Sequence, residues 1–180
     1  DRIDRGDGLK ILEEAKRRGI KTSIDLVSRS GGRCETILSC LPYTDNLIIN
    51  EAEAGLLAQT SPENENLRQI AQRLKEYGVR ERVIIHRPEL SLCLSENGFS
   101  ALGSYELPQG FIAGATGAGD AFCAGCLLEI YRGKSDSEIL GFASSAAVAA
   151  LSGTDSVSGM KSEAQVRELC KNFERKKICL

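Results

Sequence analysis

Residues 114–122 have the sequence Gly114-Ala115-Thr116-Gly117-Ala118-Gly119-Asp120-Ala121-Phe122. The three glycines of this stretch come just before an apolar run that is typical of a helix. A glycine-rich turn before a helix leaves backbone N–H groups unpaired at the positive end of the helix dipole, where phosphate groups bind. The stretch is not a Walker A loop, because Asp120 stands where lysine is required. It is not a dinucleotide fingerprint either, because Phe122 replaces the third glycine. The sequence therefore predicts an anion-binding helix start with a carboxylate beside it.

Asp120 has two interpretations. Aspartate is a preferred N-cap residue, so the side chain could simply begin the helix. Alternatively, Asp120 is a general base that accepts a proton from an attacking hydroxyl group. The amides of Gly117, Ala118 and Gly119 would then stabilise the charge on a transferring phosphoryl group. The local sequence leaves both interpretations open.

A second polar pair follows a predicted buried strand at 46–49. Asn50 and Glu53 come just past the carboxyl end of this strand, where open α/β sheets bind ligands. The simplest interpretation is a helix start, with Asn50 as N-cap and Glu53 completing a capping box.

Strands and helices alternate through the first half of the chain. Short β-branched or apolar runs at 21–27, 46–49 and 82–86 are separated by helical patterns. This alternation predicts an α/β fold with a parallel sheet and right-handed crossovers, in a single domain over residues 1–180. The Glu96-Asn97-Gly98 turn predicts a short antiparallel hairpin.

Capping patterns mark three further helix starts. They lie at Ser61-Pro62-Glu63, at Ser135 with Glu138, and at Ser162. The helix after Ser135 is apolar on nearly every side, which indicates burial.

Gly-Ala-Gly-Asp-Ala-Phe at 117–122, followed by an apolar helix, resembles the second signature of the ribokinase-like (PfkB) carbohydrate and nucleoside kinases. The resemblance implies a Rossmann-like three-layer domain in which Asp120 is the catalytic base and residues 117–119 form the anion hole. The family usually has an Asp-Thr pair at the positions of Gly114 and Ala115. A monovalent-cation site that depends on this Asp therefore lacks its carboxylate here.

The family also has Asn-x-x-Glu at the place of Asn50 and Glu53. In the family this pair organises the water shell of the Mg²⁺ that bridges the nucleotide phosphates. A hard cation that keeps several waters suits an amide and a carboxylate. The two motifs occur in the family's order, and together they imply ATP-dependent phosphotransfer to a hydroxyl group of a sugar or nucleoside.

Two more residues fall near nucleotide-contacting positions of the family. His86, the only histidine, ends a predicted strand where the family commonly has Thr-x-Gly, so the sequence departs from the pattern there. The alternative interpretation of His86 is a strand-end histidine whose hydrogen bonds are satisfied within the protein. Ser144 lies on the helix that borders the adenine pocket in the family, and the alternative interpretation is close helix packing.

Composition narrows the range of partners and compartments. The net charge is −2 with acidic and basic residues interspersed, which does not indicate a nucleic-acid or membrane partner. No apolar run reaches the roughly 20 residues of a membrane span. Seven irregularly spaced cysteines favour reduced thiols, and Cys123 with Cys126 is typical of small packing residues in a helix. We therefore expect a cytoplasmic protein.

The resemblance also concerns chain length, because kinases of this family are about twice the size of one such domain. It implies that residues 1–180 are the C-terminal nucleotide-binding portion, which binds nucleotide but lacks the acceptor-binding half. Two other classes stay open. One is a catalytically idle regulatory module that binds nucleotide, and the other is a subunit whose sheet edge pairs with another chain, including a homo-oligomer.

Overall fold

The computed structural model describes residues 6–26, 34–62, 67–171 and 173–178. In chain order, the helices and strands of these residues are α1 (Asp7–Arg17), β1 (Ser23–Asp25), α2 (Cys34–Cys40), β2 (Asn46–Asn50), α3 (Glu51–Ala58), α4 (Leu67–Glu76), β3 (Arg82–His86), β4 (Leu90–Ser95), β5 (Gly98–Gly103), α5 (Ala118–Tyr131), α6 (Asp136–Leu151) and α7 (Glu163–Leu169). A 3₁₀ turn, Leu41–Tyr43, joins α2 to β2. Two predicted residues lie outside the described ranges: Val27, the last residue of the predicted first strand, and Glu63 of the helix start predicted at Ser61-Pro62-Glu63.

The strands form one five-stranded sheet in the order β1-β2-β3-β4-β5. Both β1 with β2 and β2 with β3 are parallel pairs, and Ile48 lies opposite Ile84. Residues 47–49 and 83–85 are fully buried, as expected for parallel strands covered on both faces. The predicted α/β fold with a parallel sheet is confirmed.

The predicted hairpin is also present. The two-residue turn Glu96-Asn97 joins β4 to β5, and Gly98 adopts a φ of 108° that favours glycine. The Asn97 amide donates to Ser95 Oγ at 3.0 Å, which closes the turn.

A C-terminal extended segment, residues 173–178, lies alongside the end of β5. Tyr105 and Arg175 form an isolated antiparallel bridge, and the Lys176 amide donates to the Ser104 carbonyl at 2.8 Å. A Cβ on Gly103 would collide with the Lys176 carbonyl, so only glycine allows this approach.

Contacts divide the chain into two compact units. The first unit holds the residues up to Arg87 together with Leu92–Phe99, and the second holds Pro88–Ser91 and the residues from Ser100 to Cys179. The single domain expected over residues 1–180 stays a prediction.

The core of the second unit forms where α5 and α6 approach closely. A Cβ on Gly125 would lie 2.8 Å from the Ala143 Cα, so the glycine permits the contact. The capping box of Ser135 and Glu138 begins α6 as predicted. The cluster buried between these helices and α7 consists of Ala121, Phe142, Ala146, Ala149, Ala150 and Val166.

A buried carboxylate ties α5 to α7. The Glu129 side chain is 2% exposed, and its Oε1 lies 2.6 Å from Arg167 Nη2 and 3.4 Å from Arg132 Nη1. Arg132 also bonds Glu163, and Arg167 lies over the Phe142 ring at 4.3 Å. These contacts satisfy a charge that would otherwise be costly to bury.

We expect Glu129→Gln to lower the free energy of unfolding by about 2–4 kcal/mol, because two guanidinium groups lose their buried partner. Urea denaturation followed by circular dichroism measures the change. The matched control is Glu168→Gln, since Glu168 is 70% exposed and forms an ion pair with the exposed Lys171. Equal losses in the two variants would contradict a special role for the buried pair.

The described cysteines and helices can be compared with what the composition predicted, which was reduced thiols and no apolar run long enough to span a membrane. The six described cysteines form no disulfide bond, and Cys123 and Cys126 are buried within α5. Burial raises the pKa of the Cys40 and Cys170 thiols, so they are poor nucleophiles. Among the described helices, none combines the length and the apolar character needed to cross a membrane.

Candidate functional site

Helix α5 begins at Ala118, two residues before Asp120, whereas the N-cap interpretation places its start just after Asp120. Gly117 is the N-cap, with a φ of 84° in the left-handed region, and Ala118 is the first helical residue. Glycine adopts this conformation without the steric cost that other residues incur. Asp120 is therefore the third residue of the helix, and the N-cap interpretation is wrong.

The turn presents unpaired backbone donors. Within the described residues, the amides of Gly117 and Gly119 have no hydrogen-bond acceptor, whereas the Ala118 amide donates to the Ala115 carbonyl at 3.3 Å. Ala121 is the first residue whose amide enters the helical ladder, donating to the Gly117 carbonyl at 2.9 Å. Two of the three amides predicted for the anion hole are thus available to a ligand, and the third makes only a long bond.

The Asp120 carboxylate is exposed on the first turn of α5. No hydrogen bond or ion pair joins it to another residue of the described ranges. An acidic side chain in the first turn interacts favourably with the helix dipole. The Asp120 carboxylate is therefore accessible beside the free amides, and its role as a general base stays a prediction.

The loop of residues 153–159 packs against the glycine turn. A Cβ on Gly117 would lie 2.7 Å from the Ser156 carbonyl oxygen and 2.8 Å from its Cα. Asp155 Oδ1 accepts hydrogen bonds from the amides of Val157 and Ser158 at 2.8 and 2.7 Å, and these bonds lower the pKa of Asp155. The packed loop thus restricts the conformation of the glycine turn.

Sequence reasoning assigned no role to this loop. The available signal was its two glycines, Gly153 and Gly159, at the start and end of the loop. A Cβ on Gly153 would lie 2.3 Å from the Gly159 nitrogen, so the loop closes on itself through backbone contacts. Such a closure depends on tertiary contacts and cannot be seen in a pattern of residue types.

Asn50 and Glu53 form a complete capping box at the end of β2. Glu53 donates its amide to Asn50 Oδ1 at 2.9 Å, and Asn50 donates its amide to Glu53 Oε2 at 3.1 Å. The helix-capping interpretation is therefore confirmed. Glu53 is only 5% exposed, so the box holds a buried carboxylate at the carboxyl edge of the sheet. The magnesium role of the pair stays a prediction.

His86 lies beside Asn50, because the two residues are partners in the register of β2 and β3. Burial lowers the pKa of His86 to about 4. The imidazole is therefore neutral at physiological pH and can both donate and accept a hydrogen bond. This position agrees with the strand-end interpretation, and a nucleotide contact stays a prediction.

His86 should make the protein sensitive to acid. The unfolded chain binds a proton near pH 6.5 but the folded protein only near pH 4, so stability falls as the pH drops through this range. At pH 5 the loss should reach about 2 kcal/mol. Urea denaturation at pH 7 and pH 5 should show a smaller pH dependence for His86→Gln than for the parent protein. The same pH dependence in both proteins would contradict the prediction.

Ser144 is buried in α6, and its hydroxyl donates to the Leu140 carbonyl at 2.7 Å. The proton of this hydroxyl is thus engaged within the helix, as the packing interpretation expects. A contact between Ser144 and a nucleotide stays a prediction.

The structure therefore groups the predicted residues into two sets. Within the first unit it brings together Asn50, Glu53 and His86 at the carboxyl ends of adjacent parallel strands. Within the second unit it brings Asp120 together with the amides of residues 117–119 and the loop at 153–159.

Solved structures of similar fold include ribokinases. Ribokinase from Arabidopsis thaliana, solved with ribose and ATP, has a TM-score of 0.76 and 24% identity over 91% of this chain and 52% of its own. Ribokinase from Thermotoga maritima has a TM-score of 0.73 and 22% identity, with coverage of 90% and 52%. Aminoimidazole riboside kinase from Salmonella enterica has a TM-score of 0.71 and 19% identity, with coverage of 89% and 55%. This chain spans about half the length of these relatives.

Comparison of the sequence itself gives a family but no individual relative. No curated protein sequence matches the chain significantly. The sequence model of the pfkB family carbohydrate kinases matches residues 3–163, which include the Asn50–Glu53 pair and the glycine turn with Asp120. The chain therefore belongs to the PfkB family of carbohydrate kinases.

Proposed function

We propose that this chain carries the phosphotransfer machinery of an ATP-dependent kinase that acts on a hydroxyl group of a sugar or nucleoside. Asp120 is the general base, and the amides of Gly117, Ala118 and Gly119 form the anion hole. His86 and Ser144 contact the nucleotide. The partner is a small molecule in the cytoplasm. The 180-residue chain binds nucleotide, and the acceptor is bound by the half of the fold that it does not span.

One observation carries the proposal. An exposed carboxylate without a partner among the described residues stands in the same helical turn as unpaired amides. Unpaired amides begin every helix and stabilise an acidic side chain in its first turn, but here the carboxylate is also exposed and available to a ligand. If the unpaired amides only bound phosphate, a neighbouring negative charge would lower their affinity for it. A base next to an anion hole accounts for both features.

The proposed reaction is a direct in-line transfer. Asp120 accepts the proton of the acceptor hydroxyl as its oxygen attacks the γ-phosphorus of ATP. The new P–O bond forms while the bond to the bridging oxygen breaks, and ADP leaves with the electron pair. The amides of residues 117–119 stabilise the negative charge on the transferring group.

Magnesium fits the residues at the end of β2. Asn50 and Glu53 offer an amide and a buried carboxylate held in place by their capping box. Among the described residues, no cluster of three or more His, Cys, Asp or Glu side chains is placed to bind a metal directly. We assign the pair to a hydrated Mg²⁺ contacted through water, which when bound would neutralise phosphate charge.

A monovalent cation does not fit in the same way. Its carboxylate ligand in the family would stand at Gly114, where a Cβ would lie 2.9 Å from the Gly153 carbonyl oxygen and 3.2 Å from that of Thr154. These are backbone atoms of a closed loop, so an aspartate could enter only if the loop moved. The proposed reaction therefore includes no step that uses such a cation.

The proposal is tested with the full-length protein, Mg·ATP and a panel of sugars and nucleosides. ADP release that depends on one acceptor class is the expected result, and calorimetry with Mg·ATP measures nucleotide binding separately. Nucleotide binding without transfer to any acceptor would instead indicate an idle regulatory module. The absence of both nucleotide binding and phosphate transfer would overturn the proposal.

A further inference from the structure

Residues 104–117 connect β5 to α5 and end in the glycine turn at 114–117. These residues form neither a helix nor one of the five strands of the sheet. Phe111 is half-buried, whereas its neighbours on both sides are exposed, Ile112 by 57%. A segment with few buried side chains of its own takes its position from the groups that bind it.

The C-terminal segment binds the start of this connection through its backbone. The Glu106 amide donates to the Glu174 carbonyl at 2.8 Å, and the Lys176 amide donates to the Ser104 carbonyl at the same distance. We call residues 173–176 the strap. Two hydrogen bonds thus fix the strap against the first residues of the connection.

Phe173 of the strap contacts the connection at two points. Its ring centroid lies 5.5 Å from that of Phe111 and 6.5 Å from that of Tyr105. Both pairs are edge-to-face, an arrangement that aromatic rings prefer. Because Phe111 lies between the first backbone bridge and the glycine turn, Phe173 holds the middle of the connection.

Arg175 of the strap joins the connection to α6. Its Nη1 donates to the Gly103 carbonyl and its Nη2 donates to the Tyr105 hydroxyl, both at 2.8 Å. The Tyr105 hydroxyl in turn lies 3.1 Å from Ser145 Oγ of α6. A planar guanidinium group carries enough donors in a fixed geometry to make both bonds at once.

Helix α6 binds the far end of the connection. The Ala113 amide donates to the carbonyl of Leu151, the last residue of α6, at 2.9 Å. The glycine turn follows directly, with the unpaired amides of Gly117 and Gly119 at its end. A displaced strap would therefore disturb the segment that sets the position of these amides.

We propose that the strap positions the glycine turn for phosphate binding, with Phe173 and Arg175 as its positioning residues. The inference rests on the proposed function, because it concerns the phosphate-binding amides of that same site. A displacement of about 1 Å is enough to impair a site built from oriented groups. The match to the family's sequence model ends at residue 163, so the strap lies beyond the matched residues.

Phe173→Ala in the full-length protein tests the proposal with two measurements. Hydrogen–deuterium exchange should become about 10-fold or more faster at the amides of Phe111 and Ala113, which are bonded in the parent protein. Calorimetry should show binding of Mg·ATP weakened by roughly 10-fold or more. Parent-like exchange at these amides, or parent-like affinity for Mg·ATP, would each overturn the proposal.

Two control variants separate positioning from a general loss of stability. Phe173→Tyr keeps the ring, so its exchange rates and its affinity should return to near the parent values. Glu129→Gln destabilises the same unit at the contact between α5 and α7, and it should leave both quantities near those of the parent. Equal effects of Glu129→Gln and Phe173→Ala would show that the strap has no positioning role.

Arg175→Gln provides a second route if Phe173→Ala does not fold. The substitution removes the guanidinium group and keeps the Phe173 ring contacts, and circular dichroism shows whether the variant is folded. It should change exchange and affinity in the same direction as Phe173→Ala. A folded Arg175 variant with parent-like values would count against the strap.

The two proposals fail separately, because exchange needs no ligand. If the parent protein binds no Mg·ATP, the proposed function is wrong, and exchange alone decides whether the strap holds the turn. If the parent protein binds Mg·ATP and phosphorylates an acceptor, but Phe173→Ala binds Mg·ATP with the same affinity, the proposed function stands and the strap proposal is wrong.

Discussion

Asp120→Asn is expected to lower the turnover number of the full-length protein by roughly 10²–10⁴-fold, the usual contribution of a positioned general base. The amide keeps the shape of the side chain but cannot accept the acceptor's proton. Because Asp120 is exposed and makes no bond to another described side chain, its replacement should cost no more than about 1 kcal/mol of stability, the contribution of its charge at the helix dipole. Steady-state kinetics should show a lower kcat, and calorimetry should show similar affinity for Mg·ATP.

The control for this prediction is Glu106→Gln, which neutralises another exposed carboxylate of the second unit. It should leave kcat within the error of the parent protein. Near-normal turnover of the Asp120 variant would show that another group removes the proton.

Gly117→Ala is expected to lower the free energy of unfolding by more than about 3 kcal/mol and to abolish phosphate binding at the turn. Two penalties act together at this position. The φ of 84° is unfavourable for alanine, and the new Cβ would lie 2.7 Å from the Ser156 carbonyl oxygen and 2.9 Å from its Cβ. Relief of the clash would have to displace either the loop at 153–159 or the amides of the turn.

Gly110→Ala separates the two penalties. Gly110 has a nearly identical φ of 81°, but a Cβ there meets nothing within 4 Å. Its cost should be about 1–2 kcal/mol, the conformational term alone. Thermal unfolding and titration with inorganic phosphate compare the two variants. Equal effects would mean that the packing of the loop against the turn contributes nothing.

Local patterns were sufficient to predict much of the fold. The strand at 82–86 has the predicted bounds, and the hairpin turn and the capping box of Ser135 lie where they were expected. Each of these features depends on neighbours in the sequence, such as a β-branched run or a serine three residues before a glutamate. Parallel pairing then follows from the alternation of strands and helices.

The candidate site shows where such patterns are insufficient. Aspartate is a good N-cap, and only the backbone conformation shows that Gly117 takes this place instead. The contact between Gly117 and Ser156 joins segments far apart in sequence, and it cannot be predicted from the residue types. Likewise, the apolar composition of α5 does not tell which side stays exposed, because exposure depends on what packs against it.

The C-terminal segment at 173–178 protects backbone groups just beyond the end of β5 from pairing with another strand. Its backbone occupies the hydrogen-bonding groups just beyond β5 through Ser104 and Glu106. The opposite end of the strand order is β1, which among the described strands pairs only with β2. An incoming strand, whether from a fusion partner or from an aggregating neighbour, should therefore add at β1. Truncation of the tail would expose the Glu106 amide and the Ser104 carbonyl, which would give an incoming strand a second place to pair.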